Sequence, residues 1–498
     1  MGALNELDRQ LFVRFAARRL RGADPWLPRL THAADHGVLW LASAAVLGAS
    51  GSRTARRAAL RGVGSLLIAS AVANLPAKYA ARRPRPLLDP VPVVRRLLKQ
   101  PVTSSFPSGH SASAAAFATG LALESPLLGA VAAPVAAGVM ASRVYVGVHY
   151  PGDVLAGAAL GAGAAALTLR WWPRRPNRPA ATAPPHLDAP ALPRGAGLSV
   201  VVNISAGPGV PPRGGQGPDP VVEELRALLT EAEIQVCGPG DDLAELMDRA
   251  AARAVRAGGA LGVCGGDGTV NLAATVAARE LLPLAVFPGG TLNHFAVDLG
   301  SPTLRATAEA VETGSAAAVD LGRLRGDGLD RIFLNTFSIG VYPDLVRVRE
   351  RLEKRLGKWP ALGVALVRVL AAAEPVPVAV SGVPRRLWLL FAGNGAYDPP
   401  GFAPSHRSRL DDGLLDIRVV DGSRPFARTR LLAAFLSGTL GRSRVYREAR
   451  LPALDLTDLR GVGHLALDGE AVPAPDRLLL GKASRPLTVY RPAHPAVP

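Results

Sequence analysis

Cysteine is nearly absent from this chain. Two residues, Cys237 and Cys264, occur in 498, which argues against a disulfide-stapled scaffold and a cysteine-based metal site. Both end apolar, strand-like runs, the setting of buried free thiols. A basic stripe interleaved with aromatics is also missing. The formal net charge of +17 comes almost wholly from dispersed arginine, so stacking on nucleic-acid bases is not the expected role. Local clusters such as Arg53, Arg56 and Arg57 flank apolar segments, as at membrane edges and anionic-lipid contacts. The N-terminus lacks the basic start, apolar run and small-residue cleavage site of a secretory signal. Instead Leu4, Leu7, Leu11, Phe12 and Phe15 recur at helical spacing with Arg14, Arg18 and Arg19 nearby. That predicts a helix on a membrane surface or packed on a bundle. No internal repeat is visible.

Apolar residues make up 48% of the chain, and its mean hydropathy is positive. Both values suit a chain that is part membrane and part soluble, long enough for two or three domains. Residues 37–52, 58–77, 111–124, 126–141 and 153–171 read as Ala- and Gly-rich apolar helices. Several fall short of the ~20 residues that span a bilayer comfortably. A buried soluble bundle is the alternative to a membrane domain of about five spans. Small residues allow close helix contact in lipid, and Trp171-Trp172 before Arg174-Arg175 resembles an interfacial belt with an inside-positive anchor. The expected organisation is an N-terminal amphipathic segment (1–34), an all-α membrane bundle (35–172) and a Pro-rich linker (173–196). An α/β doubly wound lobe (197–320) and a β-rich antiparallel lobe (321–498) follow. Strands are expected at 198–204, 234–237, 261–264 and 284–287. Helices are expected at 221–229, at 243–255 and from about 269. Closer-spaced strands follow at 331–339, 376–381, 387–394 and 414–420.

The first chemical signature has three pieces: Lys78-x6-Arg85-Pro86, Pro107-Ser108-Gly109-His110, and Ser142-Arg143-x5-His149-x3-Asp153. Lys78, Arg85 and Arg143 can surround a phosphate dianion. Ser108 and Gly109 offer a hydroxyl and close backbone approach, and His110 opens a helix whose N-terminal amides favour anions. Asp153 stands one helical turn after His149, so it can accept one ring N–H and free the other nitrogen to attack phosphorus. His110 can then protonate the leaving alkoxide. Each piece alone is weak; together they resemble the type 2 phosphatidic acid phosphatase family over about residues 35–171. The resemblance implies metal-free lipid phosphate hydrolysis through a phosphohistidine, with His149 as nucleophile, Asp153 its orienting partner and His110 the general acid. Lys78, Arg85, Ser108, Gly109 and Arg143 would bind phosphate. One span fewer than in six-span relatives is the departure.

The second signature is Gly265-Gly266-Asp267-Gly268-Thr269-Val270-Asn271, a glycine turn between a strand and a helix. It matches neither the P-loop nor G-x-G-x-x-G, yet its amides and helix start can cradle a phosphate. Pro288 to Ala296 forms a second such loop at the same predicted sheet edge. Asp411-Asp412-Gly413-Leu414 and Leu467-Asp468-Gly469-Glu470 add carboxylates. Together these blocks resemble the diacylglycerol kinase catalytic family over about residues 197–490. The resemblance implies ATP on Gly265, Gly266, Asp267, Gly268, Thr269, Asn271 and Thr291, with Asn203 alongside. It implies Mg2+ near Asp412 and the Leu414 backbone, and Glu470 as base with Asp468 beside it. Two departures stand out. Asn203-Ile204-Ser205-Ala206-Gly207 lacks the family's proline here, and His294 replaces the usual Asp near the acceptor.

The combined expectation is a bifunctional, multi-pass plasma-membrane enzyme acting on membrane lipids, with the phosphatase site facing outward and the kinase in the cytoplasm. The phosphatase half would need no cofactor. One active half, or a membrane-tethered lipid- or nucleotide-binding regulator, are the alternatives. The sequence leaves open whether the chain forms a homodimer.

Overall fold

The computed structural model describes residues 2–18, 22–50, 52–74, 83–97, 103–174, 179–182, 187–206, 219–290, 293–356, 364, 368, 374–398 and 406–493. The chain forms two compact units, Met1–Arg174 and Arg175–Pro498. Lys78 and Thr291 lie outside the described residues.

The first unit is helical: α1 (Gly2–Ala17), α2 (Ala23–Ala33), α3 (Val38–Ala49), α4 (Arg53–Val72), α5 (Gly109–Glu124), α6 (Pro126–Tyr145) and α7 (Pro151–Thr168). Capping moves several boundaries from those expected. Ser52 Oγ accepts from Ala55 N, so α4 starts at Arg53 and takes the arginine cluster into its first turns. Ser108 caps α5, and the Asp153 carboxylate accepts from Tyr150 N at the start of α7. Central α5 buries alanines 112, 114–116 and 118 along with Phe117. It meets α7 so closely that a side chain at Gly161 would run into the Ala112 backbone. Larger residues lie outside: Val38, Leu41 and Val46 on α3, Leu60 and Leu67 on α4, and Leu127 and Val131 on α6 are exposed. Among the described residues α6 alone is long and apolar enough to cross a membrane. The other expected spans do not pass that test. Helix α1 buries Phe12 and Ala16 among Val91, Val144, Tyr150 and Val154, leaving Leu7 and Leu11 exposed.

The bundle has two distinct ends. One holds the starts of α3, α5 and α7 and the ends of α4 and α6. At the other, Arg57 Nε and Arg61 Nε donate to Glu124 (3.1 and 2.7 Å), Arg61 Nη1 donates to Thr168 Oγ1 (2.8 Å), and Trp172 O accepts from Arg61. The chain leaves the bundle at this second end.

Among the described residues the second unit carries two large sheets and a two-stranded one, Tyr397–Asp398 with His406–Arg407. Among the described residues the first has seven strands, ordered Leu187–Asp188, Ser315–Val319, Leu487–Tyr490, Leu284–Pro288, Ala260–Gly265, Leu198–Asn203, Glu233–Cys237. Its centre is parallel, as strand–helix alternation predicts, but one edge is antiparallel. The sheet is therefore mixed, and Leu487–Tyr490, expected in the second lobe, is inserted beside Leu284–Pro288. Leu487 and Val489 complete the core formed by Val263, Val286 and Phe295. The larger second sheet is antiparallel, built around Val383–Asn394, which pairs with Thr336–Gly340, Val376–Val380 and Leu415–Asp421. The expected strand 331–339 is two strands, Leu329–Phe333 and Thr336–Gly340. The break has a cause: the Asp468 carboxylate accepts the N–H groups of Leu334, Asn335 and Thr336 (2.8, 2.8 and 2.7 Å). Those donors are therefore not spent on a strand ladder. Cys237 and Cys264 are free, buried thiols.

Candidate functional site

In the helical unit, a cavity of about 380 Å³ opens at the first end of the bundle. Arg85, Gly109, His110, Arg143 and His149 line it, with Asp35, Asn74 and Thr103. Five of the sequence-named residues are thus brought together from three separated motifs. Arg85 is fixed through its guanidinium: Nε donates to Thr103 O (2.9 Å) and Nη1 to Val148 O (2.7 Å). Arg143, at the end of α6, donates to Thr31 Oγ1, while its buried Nε has no protein partner. Ser108 is fully buried; its N donates to Asp153 O (3.0 Å) and its Oγ accepts from Ser111 Oγ (2.9 Å). Its oxygen accepts at the cap, a role that does not use its O–H donor.

His149 sits between α6 and α7, with Nδ1 3.7 Å from Asp153 Oδ2. Burial pushes the imidazole down to about 4; Asp153 opposes that shift while Arg143 and Arg85 add to it. The ring is therefore neutral at neutral pH. Asp153 is completely buried and held from both sides: Oδ2 accepts from Tyr150 N (2.9 Å), and Oδ1 from Arg83 Nη1 (2.7 Å). Arg83 also pairs with Asp8 (2.8 Å), whose Oδ1 accepts from Gly152 N (2.7 Å). His110 Nε2 lies 2.8 Å from Asp35 Oδ1. Sequence inspection missed Asp35, Asp8 and Arg83. Arg83 sits inside the six-residue gap of the first motif, so the Lys78-x6-Arg85 spacing passes over it.

In the second unit, the strand Ala260–Gly265 runs into a helix, Asp267–Glu280, capped by Gly266. Thr269 Oγ1 accepts from Asn203 Nδ2 (3.0 Å), so the altered first motif still reaches this turn. Asp267 Oδ1 accepts from His294 N (2.9 Å), tying the two loops. A Cβ at Gly290 would stand 2.6 Å from Gly266 Cα, so the loops approach as only glycine permits. Asn271 Oδ1 is buried with no protein partner. A helix N-terminus and a glycine cradle fit a nucleotide phosphate.

Glu470 comes from the second sheet, yet a Cβ at Gly268 would be only 3.4 Å from its Oε1. It follows a two-residue hairpin turn at Asp468-Gly469 (φ 47° and 92°), with Leu467 and Glu470 directly paired. Asp468 is occupied by the three backbone N–H groups described above. Burial pushes its carboxyl up to about 6 against their pull. Arg407 braces the same loop: Nη1 donates to Leu334 O (2.7 Å) and Nε to Asp298 Oδ2 (2.8 Å).

The expected metal donors do not fit a divalent ion. Asp412 accepts from Ala396 N (2.7 Å) and Leu414 N (3.0 Å), and the Leu414 carbonyl accepts from Gly395 N (3.0 Å). Lys482 Nζ already stands there, donating to Asn394 Oδ1 (2.7 Å) and lying 3.5 Å from Asp320 and 3.9 Å from Asp412. Calcium and magnesium sites gather several free oxygens. Here each of those oxygens already accepts an N–H and the Lys482 ammonium supplies positive charge, so the set around Asp412 and Leu414 is a poor fit to the expected Mg2+.

Histidine and arginine gathered at one end of a bundle, ahead of a two-sheet domain with a phosphate cradle, define an enzyme with one region for phosphate-ester chemistry and another for phosphoryl transfer. Matches to the PAP2 superfamily over residues 59–177 and to the diacylglycerol kinase catalytic domain over residues 198–324 agree with that division. The chain is 30% identical over 285 residues to a Pseudomonas aeruginosa protein named "Probable lipid kinase YegS-like", covering 54% of this chain and 90% of that one. The chain belongs to this lipid kinase family, its catalytic domain preceded by a PAP2 superfamily domain. Among solved structures, a diacylglycerol kinase from Bacillus anthracis aligns at 21% identity and TM-score 0.40, covering 60% of this chain and 98% of its own. A transmembrane PAP2 type phosphatidylglycerolphosphate phosphatase from Bacillus subtilis aligns at 24% identity and TM-score 0.27, over 34% and 85%.

Proposed function

We propose that this chain is a multi-pass membrane enzyme with two activities: metal-free hydrolysis of a lipid phosphate through a phosphohistidine, and ATP-dependent phosphorylation of a lipid hydroxyl of diacylglycerol type. The observation that carries the proposal is the convergence of His110, His149, Arg85 and Arg143 on one cavity from sequence-distant segments. The approach of Glu470 to the glycine turn supports the kinase half.

In the phosphatase, Arg85 and Arg143, with Lys78 and the Gly109 amide, hold the phosphate oxygens. Neutral His149 attacks phosphorus through Nε2, because Asp153 faces Nδ1. The phosphorus–oxygen bond to the lipid breaks, and His110 protonates the departing alkoxide. Water then attacks the phosphohistidine, giving its proton to His110 and releasing phosphate. In the kinase, the turn from Gly265 to Asn271, with Thr291, binds the nucleotide phosphates. Glu470 takes the lipid hydroxyl proton as that oxygen attacks the γ-phosphorus, and ADP leaves. Magnesium bound to the nucleotide substrate would supply charge neutralisation at its phosphates.

Small residues inside and larger apolar residues outside suit a bundle whose solvent is lipid. The chain's exit from the bundle end opposite the cavity favours an outward phosphatase site and a cytoplasmic kinase, where ATP is found. Full-length protein in detergent should release phosphate from phosphatidate in EDTA. It should also label diacylglycerol from γ-labelled ATP with magnesium. His149→Ala should abolish only the first activity and Glu470→Gln only the second. Absence of both activities across a broad lipid panel would sink the proposal.

A further inference from the structure

Asp35 lies outside every motif visible in the sequence, in the turn between α2 and α3. Its two carboxylate oxygens face two histidines: Oδ1 is 2.8 Å from His110 Nε2, and Oδ2 is 3.2 Å from His32 Nδ1. The turn that presents it uses left-handed backbone at His36 (φ 53°) and Gly37 (φ 77°). Asp35, His110, Arg143 and His149 line one cavity. The two histidines therefore have matching arrangements, His149 with Asp153 and His110 with Asp35.

We infer that Asp35 is a positioning residue for the phosphatase reaction, acting through His110; the inference rests on the phosphohistidine reading above. His110 must hold a proton until the lipid oxygen departs, then accept one from water. A carboxylate on Nε2 stabilises the imidazolium and fixes the ring, leaving Nδ1 to exchange its proton with the reacting oxygen. The proton goes from Nδ1 to the alkoxide as the phosphorus–oxygen bond breaks and the bond to His149 forms. It is replaced from the attacking water as the phosphorus–nitrogen bond breaks. Asp35 gains and loses no proton, so its effect should follow how strongly the leaving group needs protonation.

The test compares Asp35→Asn, His110→Ala and the double variant, as full-length protein in detergent, on phosphatidate and p-nitrophenyl phosphate. Asp35→Asn should lower kcat on phosphatidate by about 10- to 100-fold, with a much smaller loss on the nitrophenyl ester, which needs little help from an acid. KM should change little, retained turnover of the nitrophenyl ester should report an intact helical unit, and kinase activity should report the amount of enzyme. Adding Asp35→Asn to His110→Ala should cost nothing further, because the two act as one unit. Equal losses on both esters, full additivity with His110→Ala, or faster turnover in Asp35→Asn would overturn the inference. The last result would mean that the carboxylate obstructs phosphate. A His149→Ala variant that keeps phosphatase activity would overturn the underlying reading. An inactive His149→Ala with an unaffected Asp35→Asn would remove Asp35 alone.

Discussion

Replacing Arg83 by Gln removes a guanidinium that grips Asp153 without lining the cavity. Asp153 is fully buried, and its Oδ1 receives a 2.7 Å charge-assisted bond from Arg83 Nη1. Its other oxygen is held by Tyr150 N and faces His149 Nδ1. Loss of a hydrogen bond to a charged group costs about 1.5–3 kcal/mol. If that loss is felt as His149 becomes cationic on attacking phosphorus, kcat should fall roughly 10- to 150-fold, at 1.36 kcal/mol per decade. KM and inhibition by inorganic phosphate should hardly move, since Arg83 is absent from the cavity lining. Arg85→Gln should do the reverse, raising KM and weakening phosphate inhibition, because Arg85 lines the cavity. Steady-state kinetics on a short-chain phosphatidate in detergent separate the two. A raised KM with unchanged kcat in Arg83→Gln would place Arg83 on the phosphate and refute the reasoning. No effect on either constant would mean that Asp153 does not depend on it.

Asp468→Asn should lower the thermal stability of the second unit by about 1–3 kcal/mol, since an amide cannot accept from all three N–H groups at residues 334–336. Glu470→Gln should leave unfolding unchanged while losing transfer; normal transfer by Glu470→Gln would place the base elsewhere. Lys482→Met should cost about 1.5–3 kcal/mol, or several degrees in Tm. The wild-type Tm without nucleotide should be the same in EDTA and in magnesium; a magnesium-dependent rise lost in Asp412→Asn would restore a metal there. Cysteines at Val94 and Ser50 should label from opposite sides of sealed vesicles, with native Cys237 and Cys264 silent because both are buried; labelling of both from one side would overturn the opposed-face arrangement.

The residues that meet in the helical unit's cavity were readable where a helix cap and a sequence motif fall within a few residues. Ser108 caps α5 beside His110, and Asp153 caps α7 beside His149, so the motif and the local structure share one stretch of chain. The supports of those residues were not readable. Asp35, Asp8 and Arg83 reach the site only through packing of α1, α2 and the 83–97 segment against the bundle, and no sequence spacing records that packing. Helix limits erred for a related reason. Arg57 looks like a membrane flank in sequence, but Glu124 pairs with it and with Arg61 from α5, which supports a helical arginine-rich turn.

In the kinase unit, strand–helix alternation exposed the parallel centre because each parallel pair needs its own crossover, and a crossover is a long local pattern. Leu487–Tyr490 escaped notice because it enters the sheet with no crossover from its parallel neighbour Leu284–Pro288. The glycine turn between a strand and a helix was legible, whereas the carboxylates were harder to sort. Asp-Gly pairs at 412–413 and 468–469 look alike in sequence, but their surroundings divide their roles. Asp412 is met by backbone amides and by Lys482 from a strand 70 residues later, which fills the need for a cation. Asp468 spends its charge on three amides that interrupt a strand, and the tight turn after it carries Glu470 toward Gly268. A carboxylate already saturated by amides is poorly suited to take a proton from a lipid hydroxyl. In the proposed kinase reaction the exposed neighbour Glu470, held by that same turn, is the better base, so an amide-binding carboxylate and the proposed base sit two residues apart.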